Sequence, residues 1–488
     1  MELSLLEDTK KVTAHFALFR LCMDRAIDCM EQIKIEERKM ADLRKEIEKR
    51  RTFAIISHPD AGKTTLTEKF LLFGGAINTA GSVKGKANSK YAVSDWMDIE
   101  KERGISVTSS VMQFQYDGYC INILDTPGHQ DFSEDTYRTL MAADSAVMVI
   151  DAAKGVEPQT IKLFKVCVMR HIPIFTFINK MDHFAKDSFE LLDDIETVLG
   201  IQTCPINWPI GSGHDFKGVY DRETRMVSKF QAVSTGGAKK AEETDYSIDD
   251  ESLKADIGDV LYNQLMEEVE LLDGASEEFD QERVNRGELT PVFFGSALNT
   301  FGIETFLDHF LQMTSSPLPR MSNEGLIDPM DEAFSAFVFK IQANMNKAHR
   351  DRIAFMRICS GKFDANKDVY HVQSKRKLKL SQPQQLMAQE RKIVEEAYAG
   401  DVIGVFDPGI FSIGDTICQP GKKFEYEGIP TFAPEHFCRV VQLNTMKRKQ
   451  FVKGVTQMAQ EGAIQIFQEY TAGMSEIIVG VVGVLQFE

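Results

Sequence analysis

The sequence predicts an α/β protein with a mostly parallel sheet in its first domain, followed by a β-barrel and a smaller α+β domain. Between residues 51 and 319, near-continuous apolar runs alternate with segments of helical period. Such runs are typical of parallel strands covered on both faces. Residues 334–419 carry short Val- and Ile-containing runs separated by glycines, which indicates an antiparallel barrel. After Pro430 the pattern is strand, helix, strand, strand.

The bulk composition narrows the class of protein. A chain of 488 residues is too long for one ordinary core and should contain about three domains. Its residues are 43% hydrophobic and 26% charged, and no apolar run is long enough to cross a bilayer. The eight cysteines form no Cys-x-x-Cys pair, which argues against a zinc site or a disulfide framework and for a reducing cytosol. The net charge of −17 argues against a general nucleic-acid coat but not against local basic patches that bind RNA.

The first half of the chain divides into an extension and a nucleotide-binding domain. Residues 1–50 are predicted to be a helical N-terminal extension, in which Met40 is a candidate alternative start. Acids near the N-terminus exclude a signal peptide. Residues 51–319 are predicted to form the nucleotide-binding domain, with an insertion at about 205–290. The second half of that insertion, from Glu242 to Glu282, is predicted to be acidic and helical.

Two further domains are predicted in the second half of the chain. The barrel is assigned to residues 320–425, and residues 430–488 are assigned to a third domain of ferredoxin-like α+β type. A strand–helix–strand–strand unit leaves its sheet half covered. We therefore expect this third domain to be incomplete.

A short stretch after the first apolar run has the features of a phosphate-binding loop. Strand, tight loop, Gly-Lys-Thr and helix follow one another here, and backbone N–H groups at a helix start attract phosphate. Lys63 is predicted to reach the β- and γ-phosphates, and the Thr64 hydroxyl to ligate Mg²⁺. The candidate residues are Ser57, His58, Pro59, Asp60, Ala61, Gly62, Lys63, Thr64 and Thr65, with Ser57 where the first glycine of the usual motif would stand.

A second motif, Asp-Thr-Pro-Gly-His, follows the strand that ends at Leu124. An acid at that strand end suits water-mediated binding of Mg²⁺, and the Gly128 N–H can contact a γ-phosphate. A lone histidine is more often structural, but the position of His129 directly after Asp-x-x-Gly favours a catalytic role in positioning the attacking water. The candidate residues are Asp125, Thr126, Pro127, Gly128 and His129.

Two further strand ends carry residues suited to a guanine base. Asp182 can accept hydrogen bonds from the N1 and N2 donors of guanine, and sites of this type discriminate by about 10⁴-fold. A loop after the strand 291–294 would close over the base through backbone N–H groups. On the phosphate side, Ser106 is the candidate to complete the Mg²⁺ shell when a γ-phosphate is present. The ordered motifs predict a P-loop GTPase domain that binds GTP rather than ATP. The candidate base-binding residues are Asn179, Lys180, Met181, Asp182, Ser296, Ala297 and Leu298.

The chain resembles the translational GTPases, and within them the family of bacterial peptide chain release factor three. The motifs that carry the resemblance are His58–Thr65, Arg103–Ser106, Asp125–His129 and Asn179–Asp182. Supporting stretches are Ser94–Met97, Asp131–Thr139, Asn207–Gly211, Phe337–Met345, His349–Arg352, Phe432–Glu435 and Val484–Phe487. The resemblance runs from about Met40 to Glu488, and members of this family begin their phosphate loop with Ser-His-Pro-Asp as this chain does.

The resemblance implies a ribosome-dependent GTPase that uses GTP and Mg²⁺ to promote dissociation of decoding (class I) release factors after termination, leaving GDP. It implies contacts with ribosomal RNA and proteins, a cytoplasmic location, no membrane or DNA partner, and a monomer off the ribosome. Family members most often carry Thr at the position of Ser106, and their third domain continues beyond the Leu-Gln-Phe motif.

Two alternatives remain at this point. The first is an elongation-factor-like translational GTPase, a class that needs a further domain reaching the decoding site. The second is a GTP/GDP-binding protein without productive turnover because its third domain is incomplete.

Overall fold

The structure is a computed structural model that describes residues 34, 36–77, 100, 106–231, 240–343, 352–387, 390–468 and 477–487. Most of the predicted N-terminal extension, residues 1–33 and 35, lies outside the described residues. So do parts of the sequence motifs, at 94–97, 103–105, 344–345 and 349–351. Residues 36–48 form a helix, as predicted for that part of the extension.

The first domain is built on a mostly parallel sheet. Its strands are β1 Arg50–Ser57, β2 Ser110–Tyr116, β3 Tyr119–Asp125, β4 Ser145–Asp151, β5 Ile174–Asn179, β6 Gln202–Pro205, β7 Asn207–Ile210, β8 Gly218–Asp221, β9 Met226–Gln231, β10 Glu242–Ser247 and β11 Leu289–Phe294. The main sheet has the order β2-β3-β1-β4-β5-β11-β6, and every neighbouring pair is parallel except β2 with β3. The predicted α/β architecture is therefore confirmed, and the carboxyl ends of the parallel strands meet at one edge.

Helices precede and alternate with these strands. They are α1 at residues 36–48, α2 Lys63–Phe73, α3 Ser133–Leu140, α4 Pro158–Met169, α5 Ser188–Leu199, α6 Glu251–Ile257, α7 Asp259–Ala275, α8 Gln281–Asn285 and α9 Ile303–Met313. Phe70 of α2 stacks on Phe306 of α9 at 5.5 Å between ring centroids, so α2 and α9 share one apolar layer. No helix in the described ranges has the length and apolarity that a bilayer span requires.

The segment that interrupts the parallel sheet is a four-stranded antiparallel meander, β7 to β10, followed by α6, α7 and α8. Strand β6 pairs with β11 and belongs to the main sheet, so the meander begins at Asn207. The prediction of helix from Glu242 onward is wrong for β10, which pairs with β9 from Glu242 to Ser247. Thr244 and Tyr246 favour a strand, and the pairing with β9 outweighs the acidic composition. Helices follow from Glu251, as predicted.

The second domain is a curled antiparallel sheet, and the predicted barrel is confirmed as a half-barrel. Its strands are β12 Arg320–Ser322, β13 Gly325–Ile327, β14 Ser335–Ala343, β15 Arg352–Ser360, β16 Lys362–Asp364, β17 Val369–His371, β18 Arg376–Leu378, β19 Ser381–Met387, β20 Glu390–Ile393, β21 Glu396–Tyr398, β22 Val402–Phe406 and β23 Thr416–Cys418. The main order is β18-β17-β23-β14-β15-β22-β19. Register shifts between β14 and β15 bend the sheet.

Helix α1 packs on this second domain although it precedes the first one in sequence. Ile47 is fully buried in the core of the barrel, beside Ala336 and Ile417, and Leu43 packs against the same cluster. The helix therefore contributes to the barrel core.

Buried polar contacts join the first domain to the barrel. Arg50 Nε donates to Asp401 at 2.8 Å, and Arg357 forms an ion pair with Asp144 at 2.5 Å. Burial raises the pKa of Asp144, and the neighbouring Arg357 opposes that rise. Removing one partner of a buried pair costs about 3–5 kcal/mol, so these pairs hold the two domains in one arrangement.

The third domain is a three-stranded antiparallel sheet with one helix. Its elements are β24 His436–Val440, α10 Arg448–Gln460, β25 Gln465–Gln468 and β26 Ile477–Val481, followed by a 3₁₀ turn at Val484–Phe487. The strand order is β24-β26-β25. Val455 of α10 packs on Ile477 and Val479 of β26, so the helix covers one face of the sheet.

Candidate nucleotide-binding site

The loop between β1 and α2 lies at the carboxyl edge of the parallel sheet. Asp60 and Gly62 adopt positive φ angles of 66° and 103°. A Cβ atom at Gly62 would lie 2.2 Å from Asn179 Nδ2. Both the backbone angle and the close approach therefore require glycine here. The N–H groups of the first turn of α2 are oriented for an anion, because no intrahelical carbonyl is available to them.

Lys63 and Asp125 face each other beneath this loop. Lys63 Nζ donates to Asp125 Oδ1 at 2.6 Å, and both side chains are buried. Thr64 Oγ1 lies 3.5 Å from Ser106 Oγ. The structure thus gathers a lysine, a carboxylate and two hydroxyls from β3, α2 and the segment before β2.

The segment that carries Ser106 is held by the first domain and by the barrel. Ser109 N donates to Asp135 Oδ2 at 2.7 Å, and Lys340 of β14 donates to Ser109 O at 2.5 Å. Glu100 accepts hydrogen bonds from the next two backbone N–H groups after Ser106. Burial would raise the pKa of Asp135, but the charges of Lys340 and Arg138 and the hydrogen bonds from Ser109 hold it below the ordinary value.

Gly128 and His129 form the side of the cleft next to the phosphate loop. A Cβ atom at Gly128 would lie 3.6 Å from Pro59 Cα, so the two loops are in near contact. His129 is one-third exposed, and its Nδ1 accepts a hydrogen bond from Asp131 N at 3.2 Å. With Nδ1 engaged, Nε2 is the ring nitrogen available to a water molecule.

The residues at the ends of β5 and β11 form a hydrogen-bonded wall. Asn179 Nδ2 donates to Ala61 O at 2.9 Å, and Asn179 Oδ1 accepts from Ala297 N at 2.8 Å. Lys180 Nζ bridges Asp60 O at 2.6 Å and Asp151 Oδ2 at 2.7 Å. Asn179 and Lys180 therefore join the phosphate loop to the neighbouring strand ends.

Asp182 has one carboxylate oxygen bound and one open. Oδ2 accepts from Asn299 Nδ2 at 3.0 Å. Oδ1 is buried and has no hydrogen-bond partner among the described residues. A buried unpaired acceptor is costly, so this oxygen is suited to a ligand that brings its own N–H donors.

These residues surround a cleft of about 290 Å³. The predicted residues that line it are Ser57, His58, Pro59, Asp60, Gly62, Lys63, Thr64, Thr65, Ser106, Gly128, His129, Asn179, Lys180, Asp182 and Leu298. The other predicted residues, which do not line it, are Ala61, Asp125, Thr126, Pro127, Met181, Ser296 and Ala297. Three of them contact lining residues: Asp125 Oδ1 accepts from Lys63 Nζ, Ala61 O accepts from Asn179 Nδ2, and Ala297 N donates to Asn179 Oδ1.

Sequence reasoning missed three residues of this site. His183 lines the cleft, Asn299 holds Asp182, and Asp151 pairs with Lys180. Asp151 ends β4, so the rule that ligands bind at strand ends could have found it. Asn299 could have been found only through its position in the loop that contains Ser296.

The donor set fits a hard cation with few protein ligands. Within the part of the chain that the structure describes, no cluster of three His, Cys, Asp or Glu side chains is arranged to hold a metal. Thr64 and Ser106 supply hydroxyl oxygens, and Asp125 supplies one carboxylate. Mg²⁺ suits such a site because it takes its remaining ligands from phosphates and water.

Three family models match the chain in the same order as its domains. The Elongation factor Tu GTP binding domain matches residues 48–316. Elongation factor G domain 2 matches residues 333–420. The C-terminal domain of class II release factor RF3 matches residues 426–488.

Curated relatives are similar over most of the chain. A peptide chain release factor 3 from Symbiobacterium thermophilum is 61% identical over 92% of this chain and 85% of its own length. The protein of that name from Gloeobacter violaceus is 57% identical over 91% and 83%. One from Listeria monocytogenes is 56% identical over 92% and 85%.

The fold is also found in a solved structure. A crystal structure of a protein from Thermus thermophilus matches 90% of this chain with a TM-score of 0.72 at 22% identity. The chain spans 64% of the length of that protein. This likeness supports the fold alone.

Proposed function

Because this chain belongs to the peptide chain release factor 3 family and is a translational GTPase of termination, we propose the details of its action as follows. Its cleft binds GTP with Mg²⁺ and hydrolyses GTP on the ribosome in the cytoplasm. Turnover promotes dissociation of a decoding (class I) release factor.

The open oxygen of Asp182 is the observation that carries the choice of base. Oδ1 is buried without a partner among the described residues, while Asn299 holds Oδ2. Guanine offers the N1 and N2 donors that would satisfy this carboxylate. Adenine has no such donor pair, so its binding would leave the buried charge unpaired.

Charge and backbone geometry support phosphate binding at the end of the cleft formed by the loop between β1 and α2. Lys63 and the start of α2 supply an ammonium group and oriented N–H donors. Thr64 and Ser106 would hold Mg²⁺ directly, and Asp125 would hold it through water. When bound, Mg²⁺ supplies neutralisation of the charge that develops on the phosphates. Lys63 would exchange its contact with Asp125 for a contact with phosphate.

His129 is proposed to orient the attacking water. Asp131 holds Nδ1, and Gly128 brings this segment against the phosphate loop. A water molecule held in position replaces one that diffuses freely. This lowers the activation barrier of GTP hydrolysis, and no covalent intermediate is formed. Loss of His129 should therefore reduce GTP hydrolysis without reducing nucleotide binding.

A basic surface on the third domain supports contact with ribosomal RNA. Residues 436–460 contain five Lys and Arg residues and no Asp or Glu, in a chain whose net charge is −17. The exposed cations of this basic surface are Arg439, Lys447, Arg448, Lys449 and Lys453. Affinity for a polyanion follows such local potential rather than net charge.

The match of residues 426–488 to the class II release factor domain favours release factor recycling over translocation. The direct test uses post-termination ribosomes that carry a labelled decoding release factor. We expect this protein with GTP to accelerate dissociation of that factor at least about tenfold over GDP. Lys63→Ala is the control, since it should lose the acceleration. Ribosome-stimulated GTP turnover without factor dissociation would overturn the recycling role, and GTP binding without turnover would favour a non-hydrolysing binding protein.

The basic surface leads to a separate prediction. The triple variant Lys447→Ala, Arg448→Ala, Lys449→Ala should raise the ribosome concentration for half-maximal GTPase stimulation about tenfold and flatten its salt dependence. The matched control replaces three exposed lysines of the barrel domain, Lys367, Lys422 and Lys423. Equal effects of the two triple variants would contradict a role for this particular surface.

A further inference from the structure

Asp131 holds the ring of His129 through its backbone N–H. It lies in the 3₁₀ turn Gln130–Phe132 directly after His129. Its N–H donates to His129 Nδ1 at 3.2 Å, and its carboxylate Oδ1 lies 3.3 Å from the same nitrogen. The orientation of the imidazole therefore depends on where Asp131 is held.

The other carboxylate oxygen of Asp131 is bound by the third domain. Leu485 N donates to Asp131 Oδ2 at 2.8 Å. Gln486 Oε1 accepts hydrogen bonds from Val482 N at 2.9 Å and Gly483 N at 3.0 Å. We call residues 482–487 the third-domain turn. Its own hydrogen bonds fix the N–H group that holds Asp131.

Gly483 brings this turn into direct contact with the backbone of Asp131. A Cβ atom at Gly483 would lie 2.2 Å from Asp131 Cβ and 2.4 Å from Asp131 Cα. These are not the mobile ends of a side chain, so a methyl group here would push the two segments apart. Glycine is needed at 483 because of this approach.

A second contact joins the same two parts of the molecule. Arg138 of α3 donates to Gly462 O at 2.8 Å and to Glu461 O at 3.3 Å. Glu134 holds Arg138 at 2.7 Å, and both side chains are buried. Helix α3 and the preceding turn are thus held by the third domain at two places.

We propose that Asp131 is a positioning residue for GTP hydrolysis, which holds His129 with its backbone N–H and is itself held by the third-domain turn through its carboxylate. Docking of the third domain then fixes the imidazole for the attacking water. This inference rests on the proposed role of His129. A misplacement of about 1 Å in such a group can reduce the rate about 100-fold. Nucleotide affinity is unaffected, because Asp131 lies outside the cleft that binds the nucleotide.

Gly483→Ala tests this coupling without changing any residue of the first domain. At saturating ribosomes we expect its kcat for GTP hydrolysis to fall at least about tenfold, with the KM for GTP and the affinity for GDP within twofold of the parent. Gly454→Ala in α10 is the matched control, since a Cβ atom there meets nothing within 4 Å. That variant should hydrolyse GTP at the parent rate.

A second variant keeps the test falsifiable should Gly483→Ala fold poorly. Asp131→Ala removes the carboxylate that accepts from Leu485 N and so releases Asp131 from the third-domain turn, and its kcat should fall while GDP affinity is retained. Parent-like kcat in both variants, or an equal loss of kcat and of GDP affinity, would overturn the positioning role. Full turnover by His129→Ala would instead overturn the proposed role of His129, so the two failures are distinguishable.

Discussion

Replacing His129 with alanine is expected to lower the kcat of ribosome-stimulated GTP hydrolysis by about 10²–10⁴-fold, the range that a positioned proton-transfer or water-orienting group supplies. Affinity for GDP should stay within twofold of the parent. The imidazole is held from its own segment by Asp131, and the contacts of Lys63, Asn179 and Asp182 do not pass through it. Single-turnover hydrolysis and fluorescent GDP binding measure the two quantities.

His214→Ala is the control for the His129 variant, because that side chain is exposed and does not line the cleft. It should retain the parent rate. Equal turnover by His129→Ala and the parent would remove His129 from the mechanism. A parallel loss of GDP affinity would mean that the substitution had collapsed the cleft.

Asp182→Asn is expected to weaken GTP binding by about 10³–10⁴-fold and to transfer preference to xanthosine triphosphate. Asn299 Nδ2 donates a hydrogen bond to Asp182 Oδ2. The other carboxylate oxygen, Oδ1, is the one without a partner among the described residues. An asparagine at 182 keeps this bond only by turning its own oxygen toward Asn299. Its NH₂ group then faces the base, where it meets the carbonyl that xanthine carries in place of the guanine amine.

Competition binding with GTP, ATP and xanthosine triphosphate measures this change. The matched control is Asp193→Asn, an exposed aspartate on α5, which should leave GTP affinity at the parent value. Unchanged GTP affinity in Asp182→Asn would contradict the base-reading role. Loss of GTP affinity without any gain for the xanthine nucleotide would contradict the orientation imposed by Asn299.

The fold was predictable where the signal is local. The buried strands β1, β4, β5 and β11 are near-continuous apolar runs, and each of these runs is followed by polar residues at the edge where ligands bind. Strand β10 was not predictable in this way, because its acidic sequence is held by pairing with β9 rather than by an apolar pattern.

The residues of the site also divide into those that the local sequence predicts and those that it does not. The phosphate loop and the residues after β3 and β5 stand in contiguous motifs, so their residue types alone suggest a chemistry. Asn299 lies 117 positions from Asp182, and Leu485 lies 354 positions from Asp131. Contacts over such separations depend on the completed packing of domains, and no spacing rule within one segment can find them.

The packing of α1 on the barrel has a consequence for how the chain folds during synthesis. Ile47 is buried among residues that begin with Phe334, so its partners leave the translating ribosome roughly 290 residues later. At elongation rates of about 5–20 residues per second, the apolar face of α1 waits roughly 15–60 s for its binding site. The first domain can complete its sheet in that interval, whereas the barrel cannot close its core until a helix made before the first domain returns to it. Nascent chains that end before the barrel should therefore expose this helix to chaperones and proteases.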